Sequence, residues 1–314
     1  MKPFEIFINR AGRWRSGWRF LIFLLFFIIC DVLVSVAAES AFLRAGIDFK
    51  QGSLLFISLN SATAFALAVL FGWLSGKYLE DLPFRALGVW FTRNWLKDLL
   101  FGAVLGALTL SLAVLIAVAF GGLRFDLNQN FGSSAILLTL GISLAVFIIG
   151  AAFEEAFFRG YILQTFARVN LAWLAIGLTS LFFAAGHLGN DNVTFFAALN
   201  TALAGLWFSI AYLKTRTLWL PFGLHLMWNW FQGAIFGIEV SGIKFLTTAP
   251  LLKEIDAGPI WLTGENYGIE GGIACTIALI VSTLLIWRLP IFKPTAEMWE
   301  LTSKEIPKSE NAAI

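Results

Sequence analysis

The sequence predicts an all-α, polytopic membrane protein of about eight transmembrane helices. Three observations predict it. Hydrophobic residues fill 59% of the 314 positions and charged residues only 13%, where soluble domains hold about 25% charged residues. Mean hydropathy is +0.80. The apolar residues gather into eight stretches of the roughly 20 residues that a bilayer crossing requires. These are 19–38, 54–75, 98–120, 134–157, 171–189, 194–213, 217–237 and 269–289.

In chain order, the first stretch follows a basic segment, and Ser35-Val36-Ala37 resembles a signal-peptidase site. Its apolar run exceeds the about 7–15 residues of a signal peptide core, so it reads as a retained anchor with Trp14 and Trp18 at the interface. A break at 76–97 with Lys77, Arg85, Arg93 and Lys97 separates the second and third spans. The fourth span is expected to continue as helix to about residue 168. The fifth ends near Asn190-Asp191-Asn192, and the break 240–267, with Pro250, Gly258, Pro259 and Gly264, precedes the eighth. The polar tail after Pro294 reads as mobile. Cys30 and Cys275 fall inside spans and read as small apolar core residues, which leaves no disulfide framework.

With both termini cytoplasmic, seventeen Lys and Arg lie on the cytoplasmic side and five on the other, Arg44, Lys50, Arg124, Lys244 and Lys253. That bias sets the expected orientation: an integral, multi-pass protein of a bacterial cell membrane with both termini inside. The net charge of +2 leaves no electrostatic footprint for nucleic acid.

Ionisable residues inside spans are costly and mark functional positions. The fourth span holds Glu154-Glu155 and Arg159. Side chains four apart share a helical face while adjacent ones diverge by about 100°. Glu155 and Arg159 are therefore expected to pair, leaving Glu154 available as a general base. The only two histidines follow, His187 after Phe183 in span five and His225, four residues before Asn229, in span seven. Pro221 and Gly223 are expected to loosen that helix beside a cavity. Counting depth from the turn at 169–171 sets Glu154 and His187 level, each roughly 21–24 Å away. Taken singly, each element also reads as structure: an ion pair at a helix end, a core histidine, an interhelical hydrogen bond. Asp31 in span one reads as a structural hydrogen-bonding residue.

Together the three elements resemble the CPBP family, the type II CAAX prenyl endopeptidases and their bacterial relatives, also called the Abi family. Its signature E-E-x-x-x-R, F-x-x-x-H and H-x-x-x-N/D is met by Glu154-Glu155 with Arg159, Phe183 with His187, and His225 with Asn229. The resemblance covers about residues 134–237 and divides the chain into N-terminal helices (1–133), a catalytic core (134–237), and an extracytoplasmic loop, last helix and cytoplasmic tail (238–314). It implies an eight-helix intramembrane endopeptidase with a cavity reached from the cytosol. Glu154 and His187 would activate water, His225 and Asn229 would hold the oxyanion, and Glu155 with Arg159 would brace Glu154. The substrate would be a membrane-embedded or lipid-anchored peptide or protein. Glu154, His187 and His225 could supply three ligands to a divalent metal such as zinc, but Asn229 is a poor ligand and no H-E-x-x-H occurs. The metal-free route is the favoured expectation. A rhomboid-type serine site finds only Gly141-Ile142-Ser143, in the span that already carries the glutamates. A proton-coupled transporter and a non-catalytic immunity or scaffold protein are the other classes that fit such residues.

Overall fold

The computed structural model describes residues 6–46 and 53–305; Lys2, Lys50 and Lys308 lie outside them. Apolar helices form at all eight expected positions: α1 (Ser16–Arg44), α2 (Leu54–Glu80), α3 (Trp95–Ala119), α4 (Ser133–Ala167), α5 (Ala172–Gly186), α6 (Phe195–Thr215), α7 (Trp219–Trp230) and α8 (Ile273–Arg288). Five of them, α1 to α4 and α6, are long and apolar enough to cross a membrane. Five of the eight expected crossings are thus met by helices of spanning length, and α5, α7 and α8 are shorter helices at the other three positions. α4 runs to Ala167, as its apolar pattern predicts, but is π-helical over Ala156–Ile162. α7 likewise passes into a π-helical turn at Phe231–Ile235.

The helices alternate in direction, so the connections sort into two ends. One end gathers the residues before α1, the α2–α3, α4–α5 and α6–α7 connections, and the segment after α8. Leu218 N donates to Gly88 O there, and the Lys214 ammonium donates to Trp287 O. Arg10, Arg13, Arg15, Lys77, Arg85, Arg93, Lys97, Lys214, Arg216, Arg288 and Lys293 all belong to this basic end. A buried ionic cluster locks it: Arg168 donates to both oxygens of Glu80, at 3.0 and 2.8 Å, and Arg19 Nη1 donates to Oε2 at 2.8 Å. Each charge in the cluster is paired more than once, which offsets the desolvation cost of burying it.

The tail corrects the sequence reading. Residues after Pro294 form α9 (Ala296–Ser303), capped by Thr295 and burying Met298 and Thr302. Glu305 then accepts from Asn9 and from Arg19, so the segment is tied to the start of the chain up to Glu305. A tail of low hydropathy still orders when its few apolar side chains and one carboxylate meet prepared partners.

At the other end, the long α7–α8 connection folds over the bundle. Leu252–Asp256 (β2) pairs antiparallel with Leu123–Leu127 (β1) of the α3–α4 connection, Leu123 opposite Asp256 and Leu127 opposite Leu252. Within this connection Gly268, at φ +86°, lies so close to Glu239 that a Cβ would sit 2.0 Å from Glu239 O; no L side chain fits that conformation and space.

The tightest helix contact is between α3 and α7. A Cβ at Gly102 would lie 2.3 Å from Leu220 O, one at Gly106 2.3 Å from Leu224 O, and one at Gly223 2.4 Å from Leu99 O. Small residues spaced by four let two backbones touch where lipid gives no hydrophobic push. Gly223 therefore tightens α7 rather than loosening it, and Pro221 sits in the first turn, where proline is tolerated. Leu33, Leu115, Leu137 and Leu181 face outward around the bundle, as lipid contact requires. Cys275 is buried as expected, Cys30 is only half-buried, and both are free thiols. Asp31 forms no hydrogen bond among the described residues, against the structural role expected of it.

Candidate active site

Glu154 and Glu155 end the regular part of α4, immediately before its π-helical stretch. Such turns widen the helix and are frequent at functional sites. Arg159 Nη1 donates to Glu155 Oε1 at 3.0 Å, the expected pair, with both side chains almost wholly buried (0% and 1% exposed). Arg159 Nη2 donates to Gly205 O at 2.9 Å, and its guanidinium lies 5.1 to 5.5 Å from the ring centres of Phe158, Phe183 and Phe208. Arg159 is therefore inside the bundle rather than at its basic end, where the charge count had placed it.

The partner of Glu155 that sequence did not foresee is His225. Its Nδ1 lies 3.0 Å from the same Oε1. An oxygen that already accepts from Arg159 takes the Nδ1 proton as well, which orients the imidazole. Phe208 stacks on that ring at 4.6 Å and 19°. So Glu155, held by Arg159, also braces His225, a contact beyond the support of Glu154 that the resemblance implied. The other ring nitrogen, Nε2, is 3.7 Å from Glu154 Oε2, too long for a direct hydrogen bond. Glu154 Oε2 has no hydrogen-bond partner among the described residues.

His187 lies one residue past the end of α5. Its Nδ1 donates to Phe183 O at 2.8 Å, since a carbonyl can only accept, and Nε2 is left as the basic nitrogen. Asn229 stands one turn beyond His225 and its side-chain amide has no partner among the described residues.

Glu154, His187, His225 and Asn229 all line one cavity of about 250 Å³. Sequence spacing named all four, and the structure brings all four together. It also adds Glu270, which sequence reasoning missed. Glu270 accepts from Trp228 Nε1 at 2.9 Å and from Ser241 N and Oγ, both at 2.7 Å. The only signal for it was a carboxylate in the glycine-rich run Gly268-Ile269-Glu270-Gly271-Gly272. Gly102, Gly106 and Gly223, which set the position of His225, were likewise legible only as glycines at helical spacing.

Two expectations collide at this cavity. On α4 the lining residues are Val146, Phe147, Gly150, Ala151 and Glu154, with none beyond. On α6 and α8 they begin at Asn200 and Cys275, near the helix starts. The cavity therefore runs from Glu154 toward the β1–β2 end, away from both the N-terminal segment and α9. A cytosolic cavity and cytosolic termini cannot both hold for this chain.

Among the described residues no three His, Cys, Asp or Glu side chains are grouped so as to hold a metal ion. Glu154, His187 and His225 as arranged are not such a group.

No curated protein matches the chain. Residues 136–231, the stretch that carries all three motifs, match the family model of the Rce1-like proteins, described as type II CAAX prenyl endopeptidase Rce1-like, which is the family the motifs resemble and one of membrane proteases.

Proposed function

We propose that this protein is an intramembrane endopeptidase that hydrolyses a peptide bond of a membrane-embedded or lipid-anchored substrate. The observation that supports this reading best is the Glu154 carboxylate, whose Oε2 is buried without a partner 3.7 Å from His225 Nε2, on the wall of the cavity that His187 also lines. A carboxylate left unsatisfied costs stability, and a catalytic base repays that cost when a water takes its place in the cavity.

In the proposed reaction Glu154, helped by His187 Nε2, takes a proton from water as its oxygen attacks the scissile carbonyl. His225 in its imidazolium form and the Asn229 amide donate to the developing oxyanion. Both sit on the rigid α7, and preorganised donors in a dry site act without reorganising. Glu155 keeps the His225 ring in place and balances its charge. The proton held by Glu154 then passes to the leaving amine as the C–N bond breaks, and the base is restored. Metal-free activation is the reading we favour.

The test is cleavage of a quenched peptide by detergent-purified protein, comparing wild type with Glu154→Ala and His187→Ala, with and without chelator. Equal activity in all three proteins refutes the assignment. Loss of wild-type activity on chelation, restored by zinc, refutes the metal-free route.

A further inference from the structure

We propose that the catalytic cavity faces the extracytoplasmic side, and that its substrates are peptide segments presented there with basic rather than carboxylate chemistry. The substrate part rests on the peptidase reading; the orientation does not. The cavity leads only toward the end that carries β1 and β2. In the opposite direction Arg159 closes it, packed among the rings of Phe158, Phe183 and Phe208. Beyond Arg159 lies the Glu80–Arg168–Arg19 cluster, which is buried and multiply paired. A peptide from the basic end would have to break both layers.

Which end is cytoplasmic follows from charge. The connections at the closed end hold most of the Lys and Arg residues, and among the described residues the cavity end holds only Arg44, Arg124, Lys244 and Lys253. Short connections rich in Lys and Arg stay in the cytoplasm. The open end is then outside.

The wall of the cavity fixes the chemistry of the occupant. It carries two carboxylates, Glu154 and Glu270, and neither Lys nor Arg. Glu270 is held by the Trp228 indole and by Ser241, neutral donors that leave its charge uncompensated. A substrate ending in a free carboxylate meets no lysine or arginine on this wall, whereas a lysine or arginine side chain is drawn toward Glu270.

Cysteine labelling tests the orientation without requiring activity. In a background with Cys30→Ala and Cys275→Ala, single reporters Asp191→Cys and Asn266→Cys mark the open end and Glu300→Cys the closed end; all three positions are exposed. A membrane-impermeant maleimide is expected to label the first two in intact cells and the third only after permeabilisation. Labelling of either open-end reporter only after permeabilisation, or of Glu300→Cys in intact cells, overturns the proposal. In the substrate arm, right-side-out vesicles receive an impermeant quenched peptide containing lysines, and a matched peptide with glutamates. Preferential cleavage of the lysine peptide is expected; equal or reversed preference overturns the substrate half. If vesicles and detergent-purified protein both leave each peptide intact while labelling is as expected, the orientation stands and the peptidase reading falls.

Discussion

The adjacent glutamates should give opposite signatures on neutralisation. Glu155→Gln removes the charge that receives Arg159 and His225 on one oxygen, each at 3.0 Å. Arg159 keeps only Gly205 O and its ring contacts, and a fully buried guanidinium loses its paired carboxylate. Breaking a buried pair from one side costs about 3–5 kcal/mol, which for a chain of this size corresponds to a fall in Tm on the order of 10 °C. Turnover falls as well, because His225 loses the group that aims it. Glu154→Gln should leave Tm near wild type, since its Oε2 makes no hydrogen bond to lose, yet lower kcat by about 10²–10⁴, the contribution of a general base. Thermal unfolding followed by tryptophan fluorescence in detergent, with peptide cleavage on the same preparations, reads both quantities. A Tm loss in Glu154→Gln as large as in Glu155→Gln, or full turnover in Glu155→Gln, would refute the division of labour.

Three further outcomes are expected. Asn229→Ala should lower kcat by about 10²–10³, the loss of one oxyanion donor, with Tm unchanged; a rise in KM alone would contradict it. Gly106→Ala places a methyl 2.3 Å from Leu224 O, so α3 and α7 must part, costing about 1–3 kcal/mol and displacing His225; Tm and kcat should fall together. Burial, and then the carboxylates of Asp256 and Glu239, push Glu254 on β2 from 4.5 up to about 8. Folded Glu254 keeps its proton where the unfolded chain has lost it, so its stabilisation is complete below pH 4.5 and declines as pH rises to about 8. Tm measured across that window should fall with pH in the wild type and flatten in Glu254→Gln.

Much of the fold was legible because lipid imposes a simple rule. A crossing helix must be apolar for about 20 residues, so positions of all eight helices could be read from hydropathy alone. The same rule made the site residues conspicuous, since Glu154, His187 and His225 are expensive where they stand. Helical phase correctly joined Glu155 to Arg159. The contact of that pair with His225 was not legible, because α7 is positioned by its contact with α3 through Gly102, Gly106 and Gly223, and a glycine contact leaves no hydropathy signal. The tail was misread for a related reason: Met298 and Glu305 gain order from partners on distant helices.

The sequence by itself determined the class of protein, the number and approximate limits of its helices, and the residue types of one site, all consequences of local composition against a uniform solvent. Only the tertiary structure decided that Glu155 holds His225, that Glu270 joins the cavity wall, and that the cavity leads away from the termini. Those facts depend on which helix faces touch and on which end the bundle is sealed, and contacts between residues far apart in the chain leave no periodic trace in it.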